Sequence, residues 1–291
     1  MAIIVNTNMA SLVAQRSLGL ASDALSNTME RLASGMRINH AADDAAGMAI
    51  SKRMEGQIRS LTQANRNAMD GVSLVQVAEG AYNEIGNILI RLRELAVEAA
   101  NGTLSLTDRS SLQTEADRLI VEITGIANGV TFNAVSLLSN SAGNTVVFQV
   151  GIGTVAYTAG AQDQISVTLY SLKASIFTSS NSDLTATGAQ AIIITSQSNA
   201  QTSLANIDTV LNNLNSSRAA LGAAQNDLES RGRNLDISIE NLSAAKSRIL
   251  DTDVASETSA LVRNQILVQA GTSVLAQANQ LPSLALTLLG R

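Results

Sequence analysis

One row of residues constrains this chain more than any other feature. Every seventh position from Ile207 reads Ile207, Leu214, Leu221, Leu228, Leu235, Leu242 and Ile249, all of them Leu or Ile. The companion row, Leu204, Leu211, Arg218, Gln225, Gly232, Ile239 and Lys246, is apolar at only three of its seven positions. An α-helix makes about 3.6 residues per turn, so a repeat of seven returns to nearly the same face and lays down a narrow apolar seam. At about 1.5 Å per residue the row runs ~63 Å. Such a helix cannot bury its seam alone and needs other helices of similar length beside it. Small residues next to the row (Ala219, Ala220, Gly222, Ala223 and Ala224) let those neighbours approach closely.

The partners are legible in the first half of the chain. Ala78, Tyr82, Ile85, Leu89, Leu92, Ala96 and Ala99 alternate steps of four and three. Leu112, Ala116, Leu119, Ile123 and Ile126 do the same over a shorter stretch, and Leu18, Leu25, Met29, Leu32 and Met36 fit one earlier frame. Asn101-Gly102-Thr103 separates the second and third of these helices, and Thr107-Asp108 offers a cap for the third. From Thr124 to Ala200 the pattern changes. That segment holds only Asp163, Lys173 and Asp183 as charges, and it alternates like strands at Val146–Val150 and Ile165–Leu169. The fold class is therefore mainly α, or α+β overall. Long antiparallel helices from both chain ends form a bundle or coiled coil, with a small β-hairpin-rich segment in the middle.

Both ends are free of charge. Met1 to Gln15 carries no charged side chain, and neither does Asn264 to Gly290, a run of 27 residues. The first stretch lacks the basic start and long apolar core of a signal peptide, so no cleaved signal is expected. The second holds Asn264, Gln265, Gln269, Gln277, Asn279, Gln280 and Pro282. Those amides are too costly in hydrocarbon for a membrane span. Uncharged ends that carry amides point to surfaces buried against each other or against other chains.

Composition removes most chemistry. There is no Cys and a single His among 291 residues, so thiolate, disulfide and multi-histidine metal sites are excluded within one chain. A net charge of −5 and only three Tyr and three Phe argue against nucleic acid. Gly151-x-Gly153-x-x-Ala156 follows an apolar run as a dinucleotide loop does, but a turn and another strand come next, so a β-turn is the better reading. Asp43-Asp44 and Asp251-x-Asp253 resemble cation pairs but lack further ligands, and helix N-terminal charges explain them better. His40 reads as a loop residue. No catalytic residue, metal site or cofactor is expected.

Several long segments stand out as motifs. At the start are Met29-Glu30-Arg31-Leu32-Ala33-Ser34-Gly35-Met36-Arg37-Ile38-Asn39 and Asp43-Asp44-Ala45-Ala46-Gly47-Met48-Ala49-Ile50-Ser51. Next come Arg66-Asn67-Ala68-Met69-Asp70-Gly71, Ala78-Glu79-Gly80, Arg93-Glu94-Leu95-Ala96-Val97, Ala100-Asn101-Gly102-Thr103 and Phe132-Asn133. Near the end stand Glu240-Asn241-Leu242-Ser243-Ala244-Ala245, Ser247-Arg248-Ile249 and Gln269-Ala270-Gly271-Thr272-Ser273-Val274-Leu275-Ala276-Gln277-Ala278-Asn279-Gln280. Together these segments resemble bacterial flagellin, and the resemblance covers roughly residues 1–140 and 195–291.

It implies a short, minimal two-domain filament subunit. Residues 1–43 and 253–291 would form an inner coiled-coil domain at the filament core, with Ile4, Leu12, Leu18, Leu25, Leu32, Ile266, Leu275 and Leu281 making core contacts. Residues 44–252 would form the helical bundle, with a β-containing region about 130–195 and no large outer variable domain. The implied partner is the chain itself, as a homopolymer serving motility. A flagellar cap, the hook–filament junction and an export chaperone are further implied partners. Export through the flagellar type III system would place it outside the cell. A patch for the flagellin-sensing Toll-like receptor of animals maps onto Leu89, Arg91, Leu95 and Glu115, with Ile90 where responsive members usually carry Gln. Three rival readings are weaker. A junction protein usually lacks so close a match over Arg93–Thr103, a zinc-peptidase relative needs an H-E-x-x-H that is absent, and a soluble adaptor would not leave both ends uncharged.

Overall fold

The computed structural model describes residues 7–139, 144–153, 163–170 and 192–289, with side chains in the last stretch described as far as residue 280. The chain forms two compact units, Met1–Ile58 with Glu240–Arg291, and Arg59–Ile239. The helices are α1 (Met9–Ser34), α2 (Ala45–Ala99), α3 (Leu106–Gly129), α4 (Gln197–Leu250) and α5 (Val254–Leu289). The strands are β1 (Thr131–Phe132), β2 (Val135–Ser136), β3 (Asn144–Gln149) and β4 (Gln164–Leu169). The helical fold class with a small β part is as the periodicities require. No helix is long and apolar enough to cross a membrane among the described residues.

The core of the Arg59–Ile239 unit is the heptad row and what covers it. Ile207, Leu214, Leu221 and Leu228 of α4 are buried in one cluster with Tyr82, Ile85, Leu89, Leu92 and Leu95 of α2. Ala116 and Ile123 of α3 join the same cluster. Leu235 is also buried, while Leu242 and Ile249, in the other unit, are half-buried. The second row is half-buried at Leu204, Leu211, Arg218 and Gln225 and fully buried at Gly232. A narrow seam packs this way, with one row facing the core squarely and the next lying at its margin.

The strands cover this bundle. β3 and β4 pair antiparallel with Val146 opposite Val167 and Phe148 opposite Ile165. Ile165, Val167 and Leu169 are buried while Ser166 and Thr168 face out, the period-2 alternation of a one-sided strand. Phe148 lies close to Gly71 of α2, where an added Cβ would also press on Leu228 at 3.0 Å. The Tyr82 hydroxyl donates to the Tyr170 carbonyl at 2.9 Å and accepts from the Tyr170 N–H at 2.8 Å, which ties the end of β4 to α2. Burial pushes the Tyr82 phenol up to about 12. β1 and β2 turn through Asn133 and Ala134, both at positive φ, as a two-residue hairpin demands.

Three boundaries differ from the sequence reading. Met36 lies beyond α1, because Gly35 adopts φ +70° and ends the helix in a left-handed cap. The cap of α3 is Ser105, not Thr107-Asp108. Ser105 accepts from the Asp108 N–H, while Asp108 reaches back to the Ser105 N–H at 3.0 Å, a reciprocal capping box. α3 also runs on to Gly129, past the Thr124 at which the β-rich stretch was expected to begin.

The buried row sets the stability of this unit. Leu221→Ala is expected to lower its unfolding free energy by roughly 2–5 kcal/mol in urea denaturation. Val121, which is 70% exposed on α3, is the contrasting site. Val121→Ser is expected to stay within about 0.5 kcal/mol.

Candidate functional site: the paired end helices

α1 and α5 lie antiparallel in the Met1–Ile58 and Glu240–Arg291 unit. Their pairing inverts the usual distribution of side chains. Only Ser11, Ala14 and Thr28 of α1 are buried, whereas Met9, Leu12, Val13, Leu20 and Met29 are exposed. On α5, Val254, Val262, Ile266, Leu267 and Val274 are exposed as well. An apolar groove of about 930 Å³ runs between the helices, walled by residues such as Val13, Leu18, Leu20, Leu267 and Val274. A lone soluble chain rarely leaves so much contiguous apolar surface in water, and such surfaces mark places where proteins meet.

The predicted core contacts fall on this surface in different ways. Leu12 is 53% and Ile266 60% exposed. Leu18, Leu25, Leu32 and Leu275 are half-buried. Ile4 lies outside the described residues, as does the side chain of Leu281. The heptad frame expected on α1 fails at Met29, which is 54% exposed while Thr28 beside it is buried.

Thr28 and Ser11 are buried because α5 offers them amides. Asn264 donates from Nδ2 to the Thr28 hydroxyl at 3.0 Å, and the Ser11 hydroxyl donates to Asn279 Oδ1 at 2.8 Å. Asn8 does two things at once. Its Oδ1 accepts from the Ser11 N–H at 3.1 Å and caps α1, while its Nδ2 donates to the Ala278 carbonyl at 2.8 Å. The chain's single proline explains the second contact. Pro282 lies within α5, four residues after Ala278, and has no N–H to give the Ala278 carbonyl. Asn8 supplies the missing donor. Sequence reading assigned the amides of the uncharged run to the chain ends or to neighbours without singling out Asn8. The signal available was a proline inside a helical run, which orphans the carbonyl four residues earlier.

The segments flanking these helices are stapled backbone to backbone. Met36 bridges Asp251, Arg37 N–H donates to the Leu250 carbonyl at 2.6 Å, and Thr252 N–H donates to the Gly35 carbonyl at 3.0 Å. One acid of each pair caps a helix here. Asp44 Oδ1 accepts from the Gly47 N–H at 2.8 Å at the start of α2, and Asp253 Oδ1 accepts from the Ala255 N–H at 2.9 Å at the start of α5. Asp43 accepts from the N–H groups of Asn39 and His40 at 3.1 and 3.0 Å, and His40 Nε2 lies 2.8 Å from Glu30. Among the described residues, no group of three or more metal-ligating side chains comes together. Gly151 and Gly153 lie against Asp163, and β3 and β4 on either side pair antiparallel, unlike the parallel strands of a dinucleotide-binding unit.

In the other unit, Arg91 and Glu115, two of the residues expected to form a receptor patch, make an exposed ion pair at 2.8 Å, and Glu94 joins Arg91 at 3.0 Å. Hydrogen bonds that Arg91 donates to Glu115 and then to Glu94 raise its pKa above the ordinary value. Leu89 and Leu95 are buried beneath, and Ile90 is 52% exposed beside them. Arg109, which sequence reading passed over, is buried and donates to the carbonyls of Ala99 and Asn101, closing the end of α2. The Ser/Thr cluster Thr178, Ser179, Ser180, Ser182, Thr185 and Thr187 lies outside the described residues.

Exposed apolar faces on the paired end helices mark the class of self-associating subunits. Comparison with known proteins names that class. Residues 5–143 match the bacterial flagellin N-terminal helical region, and residues 204–289 match the bacterial flagellin C-terminal helical region. A flagellin of Halalkalibacterium halodurans is 42% identical over 287 residues, covering 99% of this chain and 100% of that protein. The flagellar filament 31.3 kDa core protein of Treponema maltophilum is 38% identical, with 99% of this chain and 100% of that protein covered. A flagellin of Bacillus subtilis is 40% identical, covering 98% and 99%. The chain belongs to the bacterial flagellin family, a family of structural filament proteins and not of enzymes.

Asp43 gives the linker after α1 a defined pH response. Its carboxyl is held below the ordinary value of 3.8, first by the His40 N–H and then by the Asn39 N–H. A depressed value in the folded state means that the unfolded chain takes up the proton more readily. The stabilisation is therefore present above the ordinary value and is lost as pH falls through the folded one. Amide protection at Asn39 and His40 is expected to fall in hydrogen exchange as pH drops below the ordinary value of 3.8. Asp43→Asn is expected to flatten that dependence.

Proposed function

We propose that this chain is the propeller subunit of a swimming bacterium, polymerising into the flagellar filament through its end helices. The observation that carries the reading is the exposed apolar face of α1 and α5, which continues into the charge-free runs before Arg16 and after Arg263. Such a face gains burial at roughly 25 cal/mol per Å² only when another copy covers it, and within those two runs no charge opposes the contact. Residues 1–43 and 253–291 form the inner layer and residues 44–252 the outer one in this reading. Export proceeds through the flagellar type III conduit without a cleaved signal, with a chaperone for the unassembled chain. Assembly takes place at the tip, beneath a cap and beyond the hook–filament junction. The absence of Cys and the single Pro suit a chain that must refold promptly after export.

Arg91, Glu115 and Ile90 form the exposed part of the surface for the flagellin-sensing Toll-like receptor of animals in the same reading, with Leu89 and Leu95 holding it from below.

Purified chain added to short filament seeds is expected to elongate them under electron microscopy. A persistent monomer under every seeding condition would overturn the filament role. The margin of the heptad seam offers a second test. Gly232 is buried, and an added Cβ would meet Asn65 Oδ1 at 3.3 Å. Filaments switch shape by small shifts between packed states. Gly232→Leu is expected to hold the seam in one of them and change the helical waveform, and an unaltered waveform would count against that role.

A further inference from the structure

We propose that Asn8 and Pro282 form a key that sets the register of α1 against α5. Apolar contact is non-directional and would tolerate a slide of one helical turn, because small and aliphatic residues recur along both helices. Polar pairs across the interface do not tolerate it. Thr28 with Asn264, Ser11 with Asn279 and Asn8 with the Ala278 carbonyl all align one antiparallel register. A slide of one turn separates all three.

The Asn8 contact is the most selective of them. A carbonyl in the interior of a helix is already bonded to the N–H four residues on and offers little to a side chain. Ala278 is the exception in α5, because Pro282 cannot donate to it. A register in which Asn8 faces any other interior carbonyl of that helix leaves its amide without a vacant acceptor. It also leaves the Ala278 carbonyl without a donor, and unmade bonds of that kind carry the larger penalty. One polar position in an otherwise apolar pairing commonly fixes register in this way. Asn8 is thus a positioning residue. It acts by aligning the groove lined by Val13, Leu18, Leu267 and Val274. The consequence for assembly rests on the proposed filament role, whereas the register itself does not.

The chain has no cysteine, so engineered pairs report register without background. A Cβ built at Gly271 lies 3.8 Å from Leu18 Cβ, close to the ~3.8 Å typical of a disulfide. Leu18→Cys with Gly271→Cys reports the observed register. Leu18→Cys with Leu267→Cys, or with Leu275→Cys, reports a slide of one turn either way. The full chain is oxidised in a glutathione buffer, both free and after seeded polymerisation, and intrachain cross-links are scored by mass spectrometry. The Gly271 pair is expected to dominate. Asn8→Asp keeps the oxygen that caps α1 and removes the donor, and it is expected to lower the ratio of native to slipped cross-links about 3- to 10-fold. Pro282→Ala restores the N–H and is expected to lower the ratio too, and Asn8→Asp is then expected to add little. Equal yields from all pairs in both states would overturn the proposal. So would selectivity that survives Asn8→Asp, or effects of the two substitutions that simply add. Filament elongation by the same variants is scored separately, so a failure to polymerise with register intact counts against the filament role alone.

Discussion

A long helix with one apolar row cannot stand alone in water, and most of the Arg59–Ile239 unit follows from that. Each Leu in the row gains roughly 1.5–3 kcal/mol on burial, but only if a neighbour runs alongside it. α2 and α3 carry matching rows, so Tyr82, Ile85, Leu89 and Leu92 meet Ile207, Leu214, Leu221 and Leu228 in one cluster. The β3–β4 pair covers part of that cluster, and a Cβ added at Gly71 would press on Leu228 of α4 at 3.0 Å and on Phe148 of β3 at 3.3 Å. With few aromatic residues, the core is made dense by length and by small residues at the closest contacts.

The parts legible in the sequence are those that repeat. The period of seven located α4 and the alternation at Ile165–Leu169 located β4, because each repeat reports one face over many residues. What escaped is set by single partners. Ser105 and Thr107-Asp108 are equally good cap residues by type, and the choice fell to Ser105 because Asp108 could answer its backbone N–H. Met29 and Thr28 are adjacent, and the leucine frame favours burying Met29. Asn264 reverses that by offering Thr28 a hydrogen bond from 236 residues away. No local pattern carries such a contact. The compact units meet their limits at Ile58 and Glu240, inside α2 and α4, where no turn residue marks a boundary.

The two units thus use different physics for the same task of bringing helices together. In Arg59–Ile239 the apolar side chains of the heptad rows face inward, and specificity comes from their shape. In the other unit the apolar side chains of α1 and α5 largely face outward. Burying them against each other would consume the surface that a second copy needs. The intrachain pairing is left to Ser11, Thr28, Asn264, Asn279 and Asn8, whose hydrogen bonds hold two helices in one alignment while leaving Leu12, Val13 and Ile266 free.

That division explains why the end segments contain amides but no charges. An amide buried by a further copy needs only one or two partners, and the facing helix already provides them at Asn264 and Asn279. A charge in the same place would require an ion partner from every neighbour, and an unpaired one would be strongly destabilising. Pro282 fits the same logic. A helix-breaking residue is normally a defect in a long helix, yet here it frees a carbonyl that the Asn8 amide meets. The residue that weakens α5 on its own is the one that makes its pairing with α1 specific.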